Sequence, residues 1–433
     1  MLLVYTHNIA PRLKYIFKQV CIRILNTEVE FTSKVEEFIS HGSLKMSYTK
    51  QPLGNEFFIR SHDILFEQGL SDIDIVVHDW EETKCFFHIG DKCSLPFDIF
   101  AASFYLLSRY EEYLPHVKDE FGRFMAEDSL AYKHDFLDQP VVDIWAYKFK
   151  SALQQKFEDY TFAERSYKVR PVIDVPMAFY FLHKGTLRTI GGTFNDIVNF
   201  KFKRLYYRYL VLFRFKKDPY DTFTWIINRQ KKLKEKFRVF FLIGNYSTFD
   251  KNISINRKKF VSLIKSVSDY CMVGLKASYF ALEDFQQLKK EKTRLESVIN
   301  TQLEISRNSF SKLNLPHTYR TLVELEVGAD YTMGYVNYPG FRAGTCTPFL
   351  FYDIDFEVQT PLVITTYHIL DYVLLEHSSL LDKKEALQKI IDAVKQVNGT
   401  FVPVFHNYSF SNVERWHGFR ELFNQTLESV HVE

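Results

Sequence analysis

Polar residues capable of acid–base chemistry stand at the ends of several β-rich runs in the second half of the chain. Asp174 ends the first run, Arg307 follows a short run at 303–305, and His406 ends the last run. Arg342 lies in the loop GFRAGTC. An aspartate, a histidine and two arginines on one rim could move protons to or from an anionic or carbonyl-containing substrate. Each of them also fits an ordinary structural role, in which a strand-end polar group bonds a loop or a helix N-terminus.

The elements that must position these residues alternate between strand and helix after a polar segment at 158–168. The β-rich runs lie at 169–175, 238–244, 271–275, 331–335, 362–367 and 401–406. Such alternation predicts a parallel sheet with helices outside it, either a barrel or a doubly wound sheet. Functional residues of both folds gather at the C-terminal ends of the strands. Asn245 and Lys276, which follow the second and third runs, therefore join the candidate set.

Two helices are clear from the spacing of their apolar residues, one at 282–301 and one at 383–398. Asp382 and Glu385 predict a capping box for the second helix, and Gly399 fits its C′ position. The first 165 residues predict a smaller α/β domain, with strands at 2–5 and 74–77 and helices at 96–110 and 142–157. Pro96 fits the first helical position. The predicted division is an N-terminal domain, 1–165, and a barrel, 166–433.

The order of several motifs resembles the bacterial polysaccharide deacetylase family of carbohydrate esterases, and most of all a subgroup with an N-terminal domain of unknown function. The matching stretches are VID (172–174), FFLIGNY (240–246), VGLKASY (273–279), RNSF (307–310), DYTMGY (330–335), the loop 340–348 and HN (406–407). In the first part, SRYEEYLP (108–115) and the segments 119–124 and 135–145 resemble the additional domain. The GFRAGTC loop and the order of the motifs are specific, whereas each three-residue motif alone is not.

This resemblance implies a distorted (β/α) barrel of about seven strands that removes acetyl groups from N-acetylated sugars. In the family a divalent metal such as zinc, commonly held by one Asp and two His, polarises the carbonyl and the attacking water. By position Asp174 matches the general base and His406 the general acid. Arg307 and Arg342 match the arginines that orient the base or the substrate.

Three positions depart from the family pattern at the metal site. Pro176 stands where a second carboxylate is expected, Lys276 where a metal-binding His is expected, and Ser309 where another His is expected. Proline has no ligand atom, serine is a poor ligand for such a metal, and the lysine ammonium is itself a cation. We therefore predict that no metal is bound and that Lys276 pairs with Asp174.

The functional prediction is a deacetylase-like protein that acts on or binds an N-acetylated glycan, in surface polysaccharide metabolism. Three alternatives stay open: a hydrolase, a non-catalytic glycan-binding or scaffolding protein, and metal-independent hydrolysis by Asp174 and His406. Lys276, Asn245 and Phe341, which lies beside Arg342 in the GFRAGTC loop, are the predicted substrate contacts.

Composition limits the other classes of function. The chain has 433 residues, with 55 basic and 53 acidic side chains, which argues against a general nucleic-acid-binding protein. Its five cysteines are scattered without a CxxC motif, so neither a disulfide scaffold nor a zinc ribbon is predicted. No apolar run reaches the length of a membrane span, and the N-terminus lacks a signal-peptide pattern. These features predict a cytoplasmic protein.

Aromatic residues make up 17% of the chain and are spread through both predicted domains, and one stretch at 200–217, FKFKRLYYRYLVLFRFKK, is both aromatic and basic. The aromatic excess as a whole is typical of a compositional bias. The basic stretch has two interpretations. It could be an interfacial helix on anionic lipid, which predicts a peripheral membrane contact. Alternatively, it could be a helix in the first β–α connection that packs Leu205, Leu210, Leu212 and Phe213 on the barrel.

Overall fold

A computed structural model describes residues 1–430 of the protein. Its first part contains the strands β1 (Leu2–Tyr5), β2 (Val29–Thr32), β3 (Lys45–Thr49), β4 (Phe57–Arg60), β5 (His78–Trp80) and β6 (Thr83–Cys85). The helices of this part are α1 (Pro11–Phe17), which continues into a π-helical segment (Lys18–Ile24), α2 (Val35–Ser40), α3 (Ile99–Leu107), α4 (Tyr110–Tyr113), α5 (Leu130–Lys133) and α6 (Val141–Lys156). Four strands form a parallel sheet in the order β2-β1-β3-β4, and β5 and β6 form a hairpin.

Two predicted elements of this part differ from the structure. The helix predicted from Pro96 begins instead at Ile99, because the Asp98 carboxylate accepts hydrogen bonds from the backbone N–H groups of Phe100 and Ala101, at 3.0 Å each. The residues predicted as a strand at 74–77 have no regular structure, and β5 begins directly after them.

The second part contains the strands β7 (Lys168–Val169), β8 (Val172–Val175), β9 (Arg238–Leu242), β10 (Met272–Ala277), β11 (Ile305–Asn308), β12 (Ala329–Asp330), β13 (Phe349–Asp353), β14 (Val358–Ile364), β15 (Ile369–Leu370), β16 (Thr400–Phe401) and β17 (Pro403–His406). Nine of them form one sheet in the order β13-β14-β12-β11-β10-β9-β8-β17-β15. β13 is antiparallel to β14, and the other neighbours are parallel. The predicted α/β fold class is confirmed, with nine strands in this sheet instead of about seven.

The sheet curls around its inner face. Val172, Phe240 and Ile305 come from β8, β9 and β11, yet they pack in one buried apolar cluster. Gly274 on β10 makes room for this contact, since a Cβ atom there would lie 2.5 Å from the Phe240 ring and 2.8 Å from Ile305. The inner face is therefore filled by side chains that include contacts between strands that are not neighbours, such as β9 and β11, as in a barrel.

Helices connect the strands, and most of them cover the outside of the sheet. They are α7 (Thr186–Val198), α8 (Phe202–Leu212), α9 (Phe223–Gln230), α10 (Lys258–Ser268), α11 (Phe285–Ile299), α12 (His317–Glu324), α13 (Asp371–Leu374), α14 (Leu380–Gln396) and α15 (Phe419–Glu428). Among residues 1–430, no helix combines the length and the apolar character needed to cross a membrane.

Helix α14 begins one turn earlier than predicted and ends differently. Its capping box is formed by Ser379 and Asp382, because each side chain accepts a hydrogen bond from the other residue's backbone N–H. Asn398, with φ 47°, takes the left-handed position that was predicted for Gly399. Gly399 is needed for a different reason, since a Cβ atom there would lie 2.2 Å from Cys346 Sγ.

The run at 331–335 was predicted as a strand, but only the preceding residues form one, β12. The backbone N–H of Thr332 donates to Asp330 Oδ1 at 2.9 Å, and its hydroxyl donates to Asp330 Oδ2 at 2.7 Å. This local bonding turns the chain out of the sheet directly after β12.

Buried ion pairs join the first part of the chain to the second. The Glu112 carboxylate binds the guanidinium groups of Arg109 and Arg342, and all three side chains are buried. Farther along, the Asp143 carboxylate accepts hydrogen bonds from Arg165 and from the hydroxyl of Thr345. Apolar residues of both parts also share one continuous core. The division into domains 1–165 and 166–433 stays a prediction.

Candidate functional site

The strand register of the sheet brings four of the predicted residues together. His406 on β17 is paired directly with Asp174 on β8, and Lys276 on β10 is paired with Arg307 on β11. One strand, β9, lies between these two pairs. The predicted convergence of Asp174, Lys276, Arg307 and His406 is therefore observed at the C-terminal ends of these strands.

Asp174 is held by two cations. Lys276 Nζ donates to Asp174 Oδ2 at 2.7 Å, and Arg307 Nε donates to the same oxygen at 3.0 Å. All three side chains are buried. Arg307 is fixed further by hydrogen bonds to the Tyr331 carbonyl and the Ser311 hydroxyl. The predicted pairing of Lys276 with Asp174 is present in the structure.

The protonation states follow from this geometry. Burial alone would raise the pKa of the Asp174 carboxyl, but the charges of Arg307 and Lys276 outweigh it and hold that pKa well below its usual range. Burial lowers the pKa of the Lys276 ammonium, and the neighbouring Arg307 charge lowers it further, while Asp174 opposes both. An ionised aspartate with such a low pKa is a weak base, which limits its use in proton abstraction.

His406 has a partner that the sequence reasoning missed. Its Nδ1 lies 2.8 Å from Asp371 Oδ1, and its backbone N–H donates to Asp371 Oδ2 at 2.7 Å. The other ring nitrogen, Nε2, lies 3.9 Å from Asp174 Oδ2. A carboxylate beside Nδ1 favours the tautomer that carries its proton on Nδ1, and in that tautomer Nε2 can accept a hydrogen bond from a ligand. Asp371 directly follows the two-residue strand β15, and this position at a strand end was the available signal.

The four residues open onto one cavity of about 580 Å³, a size typical of small-molecule sites. Aromatic rings form much of its wall: Phe121, Tyr220, Phe249, Phe310, Tyr372 and Tyr408. Polar atoms without hydrogen-bond partners among the described residues belong to three other lining side chains: Asp174 Oδ1, Asp250 Oδ1 and Ser309 Oγ. The cavity therefore offers aromatic faces to a ligand, and residues of its wall also contain three buried polar atoms without a partner in the described part of the chain.

The first part of the chain contributes to this wall, which the sequence reasoning did not predict. The Phe121 ring stacks on Phe310 with centroids 5.0 Å apart, and Arg123 donates to the Phe310 carbonyl at 3.2 Å. Tyr279 donates its hydroxyl to the Phe121 carbonyl at 3.4 Å. The segment 119–124 had been matched to the additional domain, and in the structure it borders the cavity.

The residues around Asp174 do not fit a divalent metal ion. Pro176, Lys276 and Ser309, the three positions that depart from the family pattern, all line the cavity together with Asp174. The Lys276 ammonium and the Arg307 guanidinium take up Asp174 Oδ2, so a metal at that oxygen would face two positive charges. Within residues 1–430 no three side chains of the His, Cys, Asp and Glu types are grouped as metal ligands would be.

The other three predicted residues lie outside this cavity, which corrects the expectation of one common rim. The Arg342 side chain is buried and binds Glu112 and the Gly334 carbonyl, because its loop folds inward against the first part of the chain. Phe341 is fully buried against His368, with ring centroids 4.8 Å apart, so it has no surface for a ligand. Asn245 lies on the surface, where Arg294 donates to its Oδ1 at 3.4 Å.

Comparison with known proteins gives the following. Residues 2–158 match the model of DUF7033, a family of unknown function. No curated protein matches the sequence.

Solved structures with similar folds include a Mycobacterium smegmatis protein assigned as a polysaccharide deacetylase, which is 14% identical with a TM-score of 0.38 over 61% of this chain and 84% of that chain. A polysaccharide deacetylase from Bacillus cereus is 9% identical, with a TM-score of 0.31 over 62% of this chain and 88% of that chain. A CE4 family pseudoenzyme from Bacillus anthracis is 12% identical, with a TM-score of 0.29 over 62% and 66%. Identities and TM-scores this low do not indicate an activity for this chain. The α/β fold class is assigned from the strand order and direction in the nine-stranded sheet.

Proposed function

We propose that the cavity beside Asp174 binds an N-acetylated glycan and that it does so without a metal ion. The observation that carries this proposal is the combination, in one cavity, of aromatic walls with unpaired polar atoms around an aspartate whose charge is already neutralised. The setting implied by the resemblance, surface polysaccharide metabolism, belongs to the same proposal.

The polar atoms of the cavity match the chemistry of a sugar. Sugar hydroxyls and the acetamido N–H donate hydrogen bonds, and the unpaired oxygens of Asp174 and Asp250 accept them. Leaving a buried polar group unpaired costs about 1–3 kcal/mol, so a ligand that satisfies these atoms gains affinity. Lys276 has three N–H donors and uses one on Asp174, which leaves donors for an acetyl carbonyl oxygen.

The aromatic walls match the apolar face of a pyranose ring. Tyr372 and Tyr408 flank His406, and their hydroxyl groups are 2.7 Å apart. Elsewhere in the same wall, the exposed Phe249 ring stacks on Tyr279, with centroids 4.1 Å apart. Sites of this kind use apolar walls for affinity and a few polar groups for orientation.

A second candidate, metal-independent hydrolysis, has one observation in its favour. The His406–Asp371 pair has the geometry of a histidine oriented by a carboxylate, and it faces the same cavity. Against it, the two cations on Asp174 make that carboxylate, whose Oδ2 lies 3.9 Å from His406 Nε2, a weak base. Binding without hydrolysis is therefore the better-supported function.

Calorimetric titration of N-acetylglucosamine oligomers into the EDTA-treated protein tests the proposal. We expect binding that is unchanged by EDTA and about tenfold weaker, equivalent to roughly 1.4 kcal/mol, for Phe249→Ala. Phe356→Ala is the matched control, because Phe356 is an exposed phenylalanine outside the cavity. De-N-acetylated oligomers are expected to bind less tightly, since they lack the acetyl carbonyl.

Two outcomes would count against the proposal. Absence of binding to every oligomer, or equal weakening by the two phenylalanine variants, would remove the cavity as a glycan site. Release of acetate from the oligomers in EDTA would instead support the hydrolytic alternative.

A further inference from the structure

Helices α7 and α8 form a hairpin whose apolar side chains face outward. Of the 27 large apolar side chains that are exposed among the described residues, eleven lie between 186 and 217. Leu187, Ile190 and Phe194 follow one face of α7, and Phe202, Tyr206 and Phe213 follow one face of α8, at helical spacing. The hairpin therefore presents an apolar surface that the rest of the described chain does not cover.

One interpretation of the stretch 200–217 predicted that its apolar side chains pack on the barrel, and the exposed surface agrees with this only in part. Leu205, Leu210 and Leu212 are half-buried, in agreement with that interpretation. Phe213, which it placed on the barrel, is 68% exposed. The stretch 200–217 also forms only one of the two helices of the hairpin, because α7 adds a second amphipathic helix beside it.

The charge of the hairpin is strongly positive. Between 186 and 217 the sequence has eight basic residues and one acidic residue, Asp196. The Asp196 side chain is buried and accepts hydrogen bonds from Arg204 and Arg208. Among the side chains that the structure describes, none forms an ion pair with Lys201, Lys203 or Lys216, so we treat their charges as available to a partner.

Hydrogen bonds join the two helices of the hairpin to each other and to the loop that follows β9. Arg208 reaches across to Asp196 over Gly192, where a Cβ atom would lie 2.6 Å from the guanidinium. Arg188 on α7 donates to the carbonyls of Lys251 and Asn252, at 3.0 and 2.9 Å. Since Lys251 also lines the candidate cavity, this contact fixes the hairpin to the rim of the site.

We infer that the α7–α8 hairpin docks the protein on an anionic lipid bilayer. Amphipathic helices with aromatic and aliphatic side chains on one face and unpaired Lys and Arg at its borders bind the interface of such membranes. A neighbouring cavity of about 1030 Å³, lined by aromatic rings together with Lys201, Lys203 and Arg415, continues this basic surface. Tyr220 borders both that cavity and the candidate site, so docking would hold the site close to the membrane surface. This inference does not depend on glycan binding.

Flotation of the full chain with lipid vesicles at physiological salt tests the inference. We expect the protein to float with vesicles of phosphatidylcholine and phosphatidylglycerol, and about tenfold less with phosphatidylcholine alone. A variant that combines Phe194→Ser, Phe202→Ser and Phe213→Ser is expected to lose at least tenfold in binding. A second variant with Lys201, Lys203 and Lys216 changed to Glu is expected to lose binding to a similar extent.

The matched control combines Ile39→Ser, Phe356→Ser and Leu381→Ser, which remove exposed apolar side chains outside the hairpin. Circular dichroism confirms that each variant is folded. Absence of wild-type flotation, or equal loss in the hairpin and control variants, would overturn the inference. A dimer would also overturn the inference, if analytical ultracentrifugation shows that the wild type dimerises and does not bind vesicles, and that the hairpin variant is a monomer. A second copy of the chain would then be the partner of the hairpin.

Discussion

Replacing Asp174 with alanine is expected to lower the free energy of unfolding by about 3–5 kcal/mol. Asp174 is the shared partner of the Lys276 ammonium and the Arg307 guanidinium, and all three groups are buried. Without the carboxylate, two positive charges are left in a region with little water, and each of them loses a hydrogen bond. Urea denaturation of the two proteins at neutral pH measures the difference.

A double substitution separates this charge effect from a simple loss of packing. Adding Lys276→Met to Asp174→Ala removes one of the uncompensated cations and is expected to recover part of the lost stability. Asp91→Ala is the matched control, because Asp91 is exposed, and we expect it to change the free energy of unfolding by less than about 0.5 kcal/mol. A loss for Asp174→Ala no larger than that of the control would show that the three groups are not the buried cluster described above.

Replacing Glu112 with alanine is expected to have an effect of the same size, about 3–5 kcal/mol, at a residue that does not line the cavity. Glu112 accepts hydrogen bonds from Arg109 at 2.7 Å and from Arg342 at 2.9 and 2.7 Å. The two arginines belong to different parts of the chain, so the carboxylate neutralises both sides of one internal interface. Removing it leaves two buried guanidinium groups without a counter-ion.

The effect of Glu112→Ala also has a predicted pH dependence. Burial would raise the pKa of the Glu112 carboxyl, but the Arg342 and Arg109 charges outweigh it and lower that pKa to about 2. A carboxyl with a lowered pKa stabilises the folded state above its unfolded pKa of about 4, and this stabilisation is lost as the pH falls toward 2. The difference between wild type and variant is therefore expected to shrink over that range.

Glu120→Ala provides the control for the Glu112 measurement, since Glu120 is exposed near the same helix. Equal unfolding free energies for the Glu112 and Glu120 variants would contradict the buried cluster. So would a Glu112 effect that stays constant from pH 6 to the acid transition.

The sequence predicted correctly that the polar residues at the ends of four strands lie close together. Asp174 and His406 close β-rich runs, and Lys276 and Arg307 belong to neighbouring runs. Parallel strands in register bring such residues to one edge of a sheet, so their proximity follows from the pattern of strands alone. The pair of Lys276 with Asp174 was predicted on a different ground, because the resemblance places Lys276 where a metal ligand is expected.

Asp371 was missed because the strand before it is too short to leave a pattern. β15 has only two residues, Ile369–Leu370, and lies just beyond the run predicted at 362–367, so the sequence did not indicate a separate strand there. The role of Asp371 depends on the pairing of β15 with β17, which places it beside His406. A pairing between strands more than 30 residues apart has no local signature.

The GFRAGTC loop was misplaced because long-range hydrogen bonds decide its path. The backbone N–H of Phe341 donates to the Leu137 carbonyl at 2.8 Å, and that of Gly340 donates to the His368 carbonyl at 2.8 Å. Gly340 has a φ of 138°, and a Cβ atom there would lie 2.4 Å from the Leu137 oxygen. These contacts turn Phe341 and Arg342 into the core, although their position after a β-rich run suggested the rim.

Zinc binding by the purified, metal-free protein tests most directly the claim that Lys276 stands in place of a metal ion beside Asp174. Calorimetric titration with Zn²⁺ is expected to show no tight site in the wild-type chain. A variant with Pro176→Asp, Lys276→His and Ser309→His supplies oxygen and nitrogen ligands around the same cavity, and we expect it to bind one Zn²⁺ per chain. One tightly bound Zn²⁺ per wild-type chain, with release of acetate from an N-acetylglucosamine oligomer, would contradict the claim.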